Sequence, residues 1–133
     1  MENNGIGVYL HWNGGRDSVE GFLEYCKMCG YREPDEDNYG WASLVTVISN
    51  FFGCDGLGVG VDVVENLDCD SDNGVYLIKG WDIEGRMNFE DDEEQDNHAL
   101  FTVLMEFDKR QPKPLGFEHI KEYCEKNKIP MVG

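Results

Sequence analysis

The chain has 133 residues, 41% of them apolar, with seven Phe, six Tyr and three Trp, and a formal charge of −16. That length and apolar share suffice for one hydrophobic core, and the aromatic content argues against disorder in spite of the charge. A field of this sign repels DNA, RNA and anionic membranes, so the composition speaks against direct nucleic-acid or membrane binding and for a basic partner.

The charge is also concentrated. Fourteen of the 27 acidic residues lie between Asp55 and Asp96, where only Lys79 and Arg86 oppose them. No apolar run approaches the roughly 18 to 20 residues that span a bilayer, and Met1-Glu2-Asn3-Asn4 lacks the features of an export signal, so a cytoplasmic location is expected. Five cysteines, an odd number, then predict reduced thiols and not a disulfide framework.

In chain order, Ile6 to Trp12 is β-rich and is stopped by Asn13-Gly14-Gly15, which predicts a first strand and a tight turn. A helix follows, capped by Asp17 or Ser18 with Glu20 at the capping-box offset, and Val19, Phe22, Leu23 and Cys26 recur at helical spacing until Gly30. Tyr39, Trp41, Leu44, Val45, Ile48, Phe51 and Phe52 form a broad apolar stripe ending at Gly53, the pattern of a core helix. The segments 57–64, 75–78 and 81–89 read as strands of an antiparallel meander. Residues 99–108 are apolar too densely for periodicity to separate helix from strand, and helix is the preferred reading; residues 116–126 form a final amphipathic helix after the Pro112 and Pro114 breaker. Helices and strands are grouped and not alternating, so the expected class is α+β: one domain over residues 1–133, an antiparallel sheet of about four strands with about three or four helices packed on it.

Trp12-Asn13-Gly14-Gly15-Arg16-Asp17-Ser18 places a glycine turn and an arginine at a helix start. Backbone N–H groups, the helix N-terminus and Arg16 could together hold a phosphate, with Trp12, Tyr39 or Trp41 stacking on a base. Against that reading, Asp17 puts a negative charge into the same turn and the P-loop lysine is missing, so a structural turn with Arg16 paired to an acid is the competing reading. Asp68, Asp70 and Asp72 alternate as in a calcium loop, but the glycine falls one place late and Lys79 stands where a bidentate Glu is required. A solvated turn between strands fits them better, and neither a metal nor another cofactor is expected. Cys26 and Cys29 have a zinc-like spacing without a second pair, and they read as buried thiols. His11, His98 and His119 belong to no nucleophile motif, and no catalytic residue is assigned. Gly56-Leu57-Gly58-Val59-Gly60 lies inside a strand pattern and reads as close backbone packing.

Glu90-Asp91-Asp92-Glu93-Glu94-Gln95-Asp96 is a block of like charge. Its plain reading is a solvated loop; its sharper reading is polyanion mimicry, in which these carboxylates, with Asp68, Asp70 and Asp72, stand in for phosphates on a basic protein surface.

Four segments carry a resemblance: residues 8–20 with Trp12-Asn13-Gly14-Gly15-Arg16-Asp17-Ser18-Val19-Glu20, then Tyr39-Gly40-Trp41-Ala42, Asn50-Phe51-Phe52-Gly53 and Asp72-Asn73-Gly74-Val75-Tyr76. The sequence resembles small proteins encoded by bacteriophages and bacterial mobile elements. The resemblance brings no activity with it, but it implies the cytoplasm of a host cell and a counter-defence role, as in anti-CRISPR proteins or proteins that sequester nucleotide immune signals. The leading expectation is a non-enzymatic inhibitor whose partner is a basic nucleic-acid-binding host protein, an immune nuclease. The alternative is a nucleotide binder that uses the Gly14-Gly15-Arg16 turn, and self-association into a homo-oligomer is open under both.

Overall fold

The computed structural model of the protein describes residues 6–10, 13–34, 36, 38–53, 58–63, 66–67, 74–87 and 98–131. They form β1 (Ile6–Leu10), α1 (Arg16–Met28), α2 (Asn38–Phe51), β2 (Val59–Val63), β3 (Val75–Lys79), β4 (Asp82–Met87), α3 (Leu100–Lys109) and α4 (Phe117–Lys126). The class is α+β, and the dense apolar run at 99–108 is a helix. Among the described residues every strand pairing is antiparallel, yet the four strands do not form one meander: β1 pairs with β2 and β3 with β4, as two separate ladders. The register explains the first pairing. Val8 lies opposite Val61 and Leu10 opposite Val59, so aliphatic residues share a face, and Val8, Leu10 and Val59 pack against the core. In the second ladder a two-residue loop, Gly80-Trp81, joins β3 to β4, with Gly80 at φ 61°, the left-handed backbone that glycine adopts without strain.

The core is organised around α1. Phe22 stacks on Phe107 of α3 with ring centroids 4.2 Å apart, and Phe51 of α2 meets Phe22 and Phe107 edge-on at 5.7 and 4.7 Å. Such pairs contribute about 0.5–1.5 kcal/mol each beyond the burial of their area. The close crossing of α1 and α3 depends on Gly21: a methyl group there would overlap Val103 Cγ1 and come within 2.9 Å of the Phe107 ring. Leu104, Ile120, Cys26 and Cys124 fill the interior around this contact, with Trp81 closing one side.

Polar groups are used to fasten the helices where the rings meet. Asp108, buried at the end of α3, accepts the Tyr25 hydroxyl at 2.5 Å and the Leu115 and Gly116 amides at 2.7 and 3.0 Å. One carboxylate thereby ties α1 to α3 and fixes the start of α4. Burial, and then the hydrogen bond to Asp108, raise the Tyr25 hydroxyl far above the ordinary tyrosine value, so Tyr25 remains a donor at any physiological pH. The last carbonyls of α2 are met from the same region, Arg110 Nη1 donating to Phe51 O at 3.1 Å and Gln111 Nε2 to Val47 O at 3.1 Å. The β3–β4 hairpin is held to the end of α1 through Trp81 Nε1, which donates to Tyr31 O at 3.0 Å.

Alanine has the better helix propensity by about 1 kcal/mol, yet overpacking a filled core costs about 1–3 kcal/mol, so Gly21→Ala is expected to destabilise the protein. Urea unfolding of Gly21→Ala, Val103→Ala and the double variant checks this. The double variant is expected to recover part of the loss; strictly additive effects would place the constraint elsewhere.

Candidate functional site

The glycine turn sits where the sequence placed it, but its geometry differs from an open anion site. Asn13 takes a left-handed backbone, φ 57°, which asparagine tolerates, and its Nδ2 donates to Ser18 Oγ at 3.2 Å. The Gly14 carbonyl accepts the Tyr76 hydroxyl of β3 at 2.7 Å, linking the turn to the second ladder. Helix α1 begins at Arg16 with Gly15 as its N-cap, two residues before Asp17 and three before Ser18, the expected caps, and no side chain caps it. The reason is that Asp17 serves a different purpose.

Asp17 lies in the first turn with its side chain only 5% exposed. Its Oδ1 accepts the Ser18 amide at 2.7 Å, and its Oδ2 accepts the His98 amide at 3.1 Å and faces His98 Nδ1 at 2.7 Å. Burial alone would raise this carboxyl, but the His98 side-chain and backbone hydrogen bonds, with the Ser18 amide, outweigh it and hold the group below its ordinary value. Asp17 is therefore ionised at neutral pH, and His98 must present Nδ1–H to it. The protein's own carboxylate supplies the negative charge that the start of α1 favours. Arg16 is engaged as well, its Nε 2.6 Å from Glu20 Oε1 in an exposed pair one helical turn on.

The stacking residues proposed for a ligand begin α2. Tyr39 is 64% exposed and lies under the Arg32 guanidinium at 5.0 Å, just beyond the C-terminal end of α1, while Gly40 abuts the Glu33 backbone. Arg16 is at the other end of that helix, roughly 20 Å away at 1.5 Å per residue. Trp41, two residues on, is partly buried against the core. Trp12 lies outside the described residues, as do Asp68, Asp70, Asp72, Glu90, Asp91, Asp92, Glu93 and Glu94. Of the acids between Asp55 and Asp96, the described ones are Asp62, Asp82 and Glu84, all at exposed positions on β2 and β4.

Sequence reasoning missed His98 and Tyr76 as partners of the turn. They lie 81 residues from Asp17 and 62 from Gly14, so no local spacing could have signalled them. It also missed a cleft of about 240 Å³ in which Arg16, Glu20, Leu23 and Glu24 of α1 face Trp81, Asp82, Ile83 and Leu100. Asp82 reaches Lys27 Nζ at 3.1 Å, and Glu24 accepts the Tyr123 hydroxyl. The Cys26 and Cys29 thiols are free, Cys26 buried and Cys29 half-buried, and both are pushed up, chiefly by burial, which favours the thiol over the thiolate. Cys54 and Cys69 lie outside the described residues. Among the described residues no three His, Cys, Asp or Glu side chains gather as a metal site, and no helix is long and apolar enough to cross a membrane.

No protein-family model matches the chain, and no curated protein or solved structure is detectably similar to it.

The lowered Asp17 carboxyl sets an acid limit on stability. Its contribution is present above the unfolded-state value of about 3.9 and is lost as pH falls through the lower folded-state value. Urea midpoints measured from pH 7 to pH 2 are expected to fall in that window, and Asp17→Asn is expected to flatten this dependence while costing about 1–3 kcal/mol at pH 7. An unchanged acid limb in Asp17→Asn would contradict the assignment.

Proposed function

We propose that the chain is a non-enzymatic binding protein that occupies the basic nucleic-acid groove of a host immune nuclease, an anti-CRISPR-like counter-defence factor acting in the host cytoplasm. The observation that carries this reading is the charge: −16 overall, with 14 of the 27 acids between Asp55 and Asp96. Carboxylates at this density compete with phosphates for lysine and arginine, and electrostatic steering brings such a partner in quickly.

The alternative, capture of a nucleotide signal at Gly14, Gly15 and Arg16, is the weaker reading. An entering phosphate would meet the buried, ionised Asp17 carboxylate in the first turn and would have to draw Arg16 away from Glu20. A cost of that kind falls on every phosphate-bearing ligand alike.

The test is retention of nucleic-acid-handling proteins from host lysate by the immobilised chain. Neutralising Asp91, Asp92, Glu93 and Glu94 to their amides is expected to weaken the captured complex by roughly tenfold or more near physiological salt, and raising the salt is expected to have the same effect on the unaltered chain. Retention of no such protein at moderate salt, or indifference to the neutralisation, would overturn the reading.

A further inference from the structure

Resting on that reading of a basic partner, we propose that the cleft between α1 and β4 seats one long basic side chain of the partner, arginine in particular. The cleft combines two chemistries. Half-buried Ile83 and Leu100 supply apolar surface over the buried Leu23, while Glu20, Glu24 and Asp82 supply carboxylates. A ligand that meets both at once is an amphipathic cation, whose methylene stem covers the apolar side chains and whose charged head turns to the acids.

Size and charge narrow the choice. About 240 Å³ is below the roughly 300–1,000 Å³ typical of pockets for whole small ligands, and it suits a single side chain. Three acids against Arg16 and Lys27 leave the cleft net negative, which disfavours a phosphate or carboxylate. Among the described residues these acids do not converge as a metal site, so the cation that fits is an extended organic one. A planar guanidinium can engage two carboxylates at once, which an ammonium, as a point charge, does less well.

The cleft acids already have partners, but each ionised carboxylate offers about four acceptor positions. The Lys27–Asp82 pair is also solvent-exposed on both sides, and pairs of that kind are weak and readily rearranged. Arg16 on Glu20 at the cleft wall provides an internal instance of the same guanidinium–carboxylate contact.

The experiment is an NMR titration of the full chain, methyl-labelled at leucine and isoleucine, with a short peptide carrying one arginine between glycines. A matched peptide with neutral citrulline in its place is the control. Saturable shifts at Leu23, Ile83 and Leu100 are expected, with the citrulline peptide bound at least roughly fivefold more weakly. Glu24→Gln combined with Asp82→Asn is expected to reduce arginine-peptide affinity by a similar factor. Gln at position 24 keeps an acceptor for Tyr123, and circular dichroism checks the fold; if this variant does not fold, the arginine–citrulline comparison on the unaltered chain decides alone. Equal binding of both peptides, or shifts confined to other residues, would overturn the cleft assignment. The same variant in the lysate capture separates the two readings: a nuclease retained at full strength by the variant removes the cleft and leaves the acidic-surface reading standing, whereas no nuclease retained by the unaltered chain removes that reading itself.

Discussion

The meeting of three phenylalanine rings from three helices, Phe22, Phe51 and Phe107, is the contact on which the rest of the structure depends. Aromatic rings stack at 4.2 Å only if the backbones that carry them approach closely, and Gly21 lets α1 and α3 do so. Once those helices are locked, Asp108 lies beside Tyr25 and can receive the amides that begin α4, while Arg110 and Gln111 lie beside the end of α2. A single crossing thereby positions both remaining helices. Neither two-stranded ladder would be stable alone in water, so each depends on packing against this helical assembly.

The same assembly determines what the glycine turn can do. Seen as a string, Asn13-Gly14-Gly15-Arg16 has the composition of an anion cradle. In the fold, α1 brings Asp17 inward, the start of α3 supplies the His98 amide and ring, and β3 supplies the Tyr76 hydroxyl. The turn becomes a junction of three elements, and its electrostatic demand is met by an internal carboxylate. A phosphate would therefore enter a turn that already holds a buried carboxylate.

Much of the fold was legible because it rests on local pattern. The spacing of Val19, Phe22, Leu23 and Cys26 announced α1, and the stripe from Leu44 to Phe51 announced α2, because a helix burying one face must repeat its apolar residues at that period. Strand pairing was not legible: the meander expected for 57–89 ignored β1, whose aliphatic residues match those of β2 in register. The first cap was misplaced because Asp17 has the right chemistry for a cap but is bound by His98, 81 residues away. Gly21 gave no signal either, since its role appears only when Val103 and Phe107 lie against it. The cleft is assembled from α1, the β3–β4 turn and the start of α3, and no window of sequence contains it.

On the proposed reading, this chain works through its carboxylates on a basic protein and not through a phosphate-bearing ligand in its glycine turn. Native mass spectrometry of the protein isolated from the cells that express it, before and after heat release, tests that reading most directly. The account predicts a complex with a basic nucleic-acid-handling protein that dissociates as salt is raised, and a released chain with no small molecule attached. A phosphate-bearing small molecule released by heat, and absent from Arg16→Ala, would contradict it.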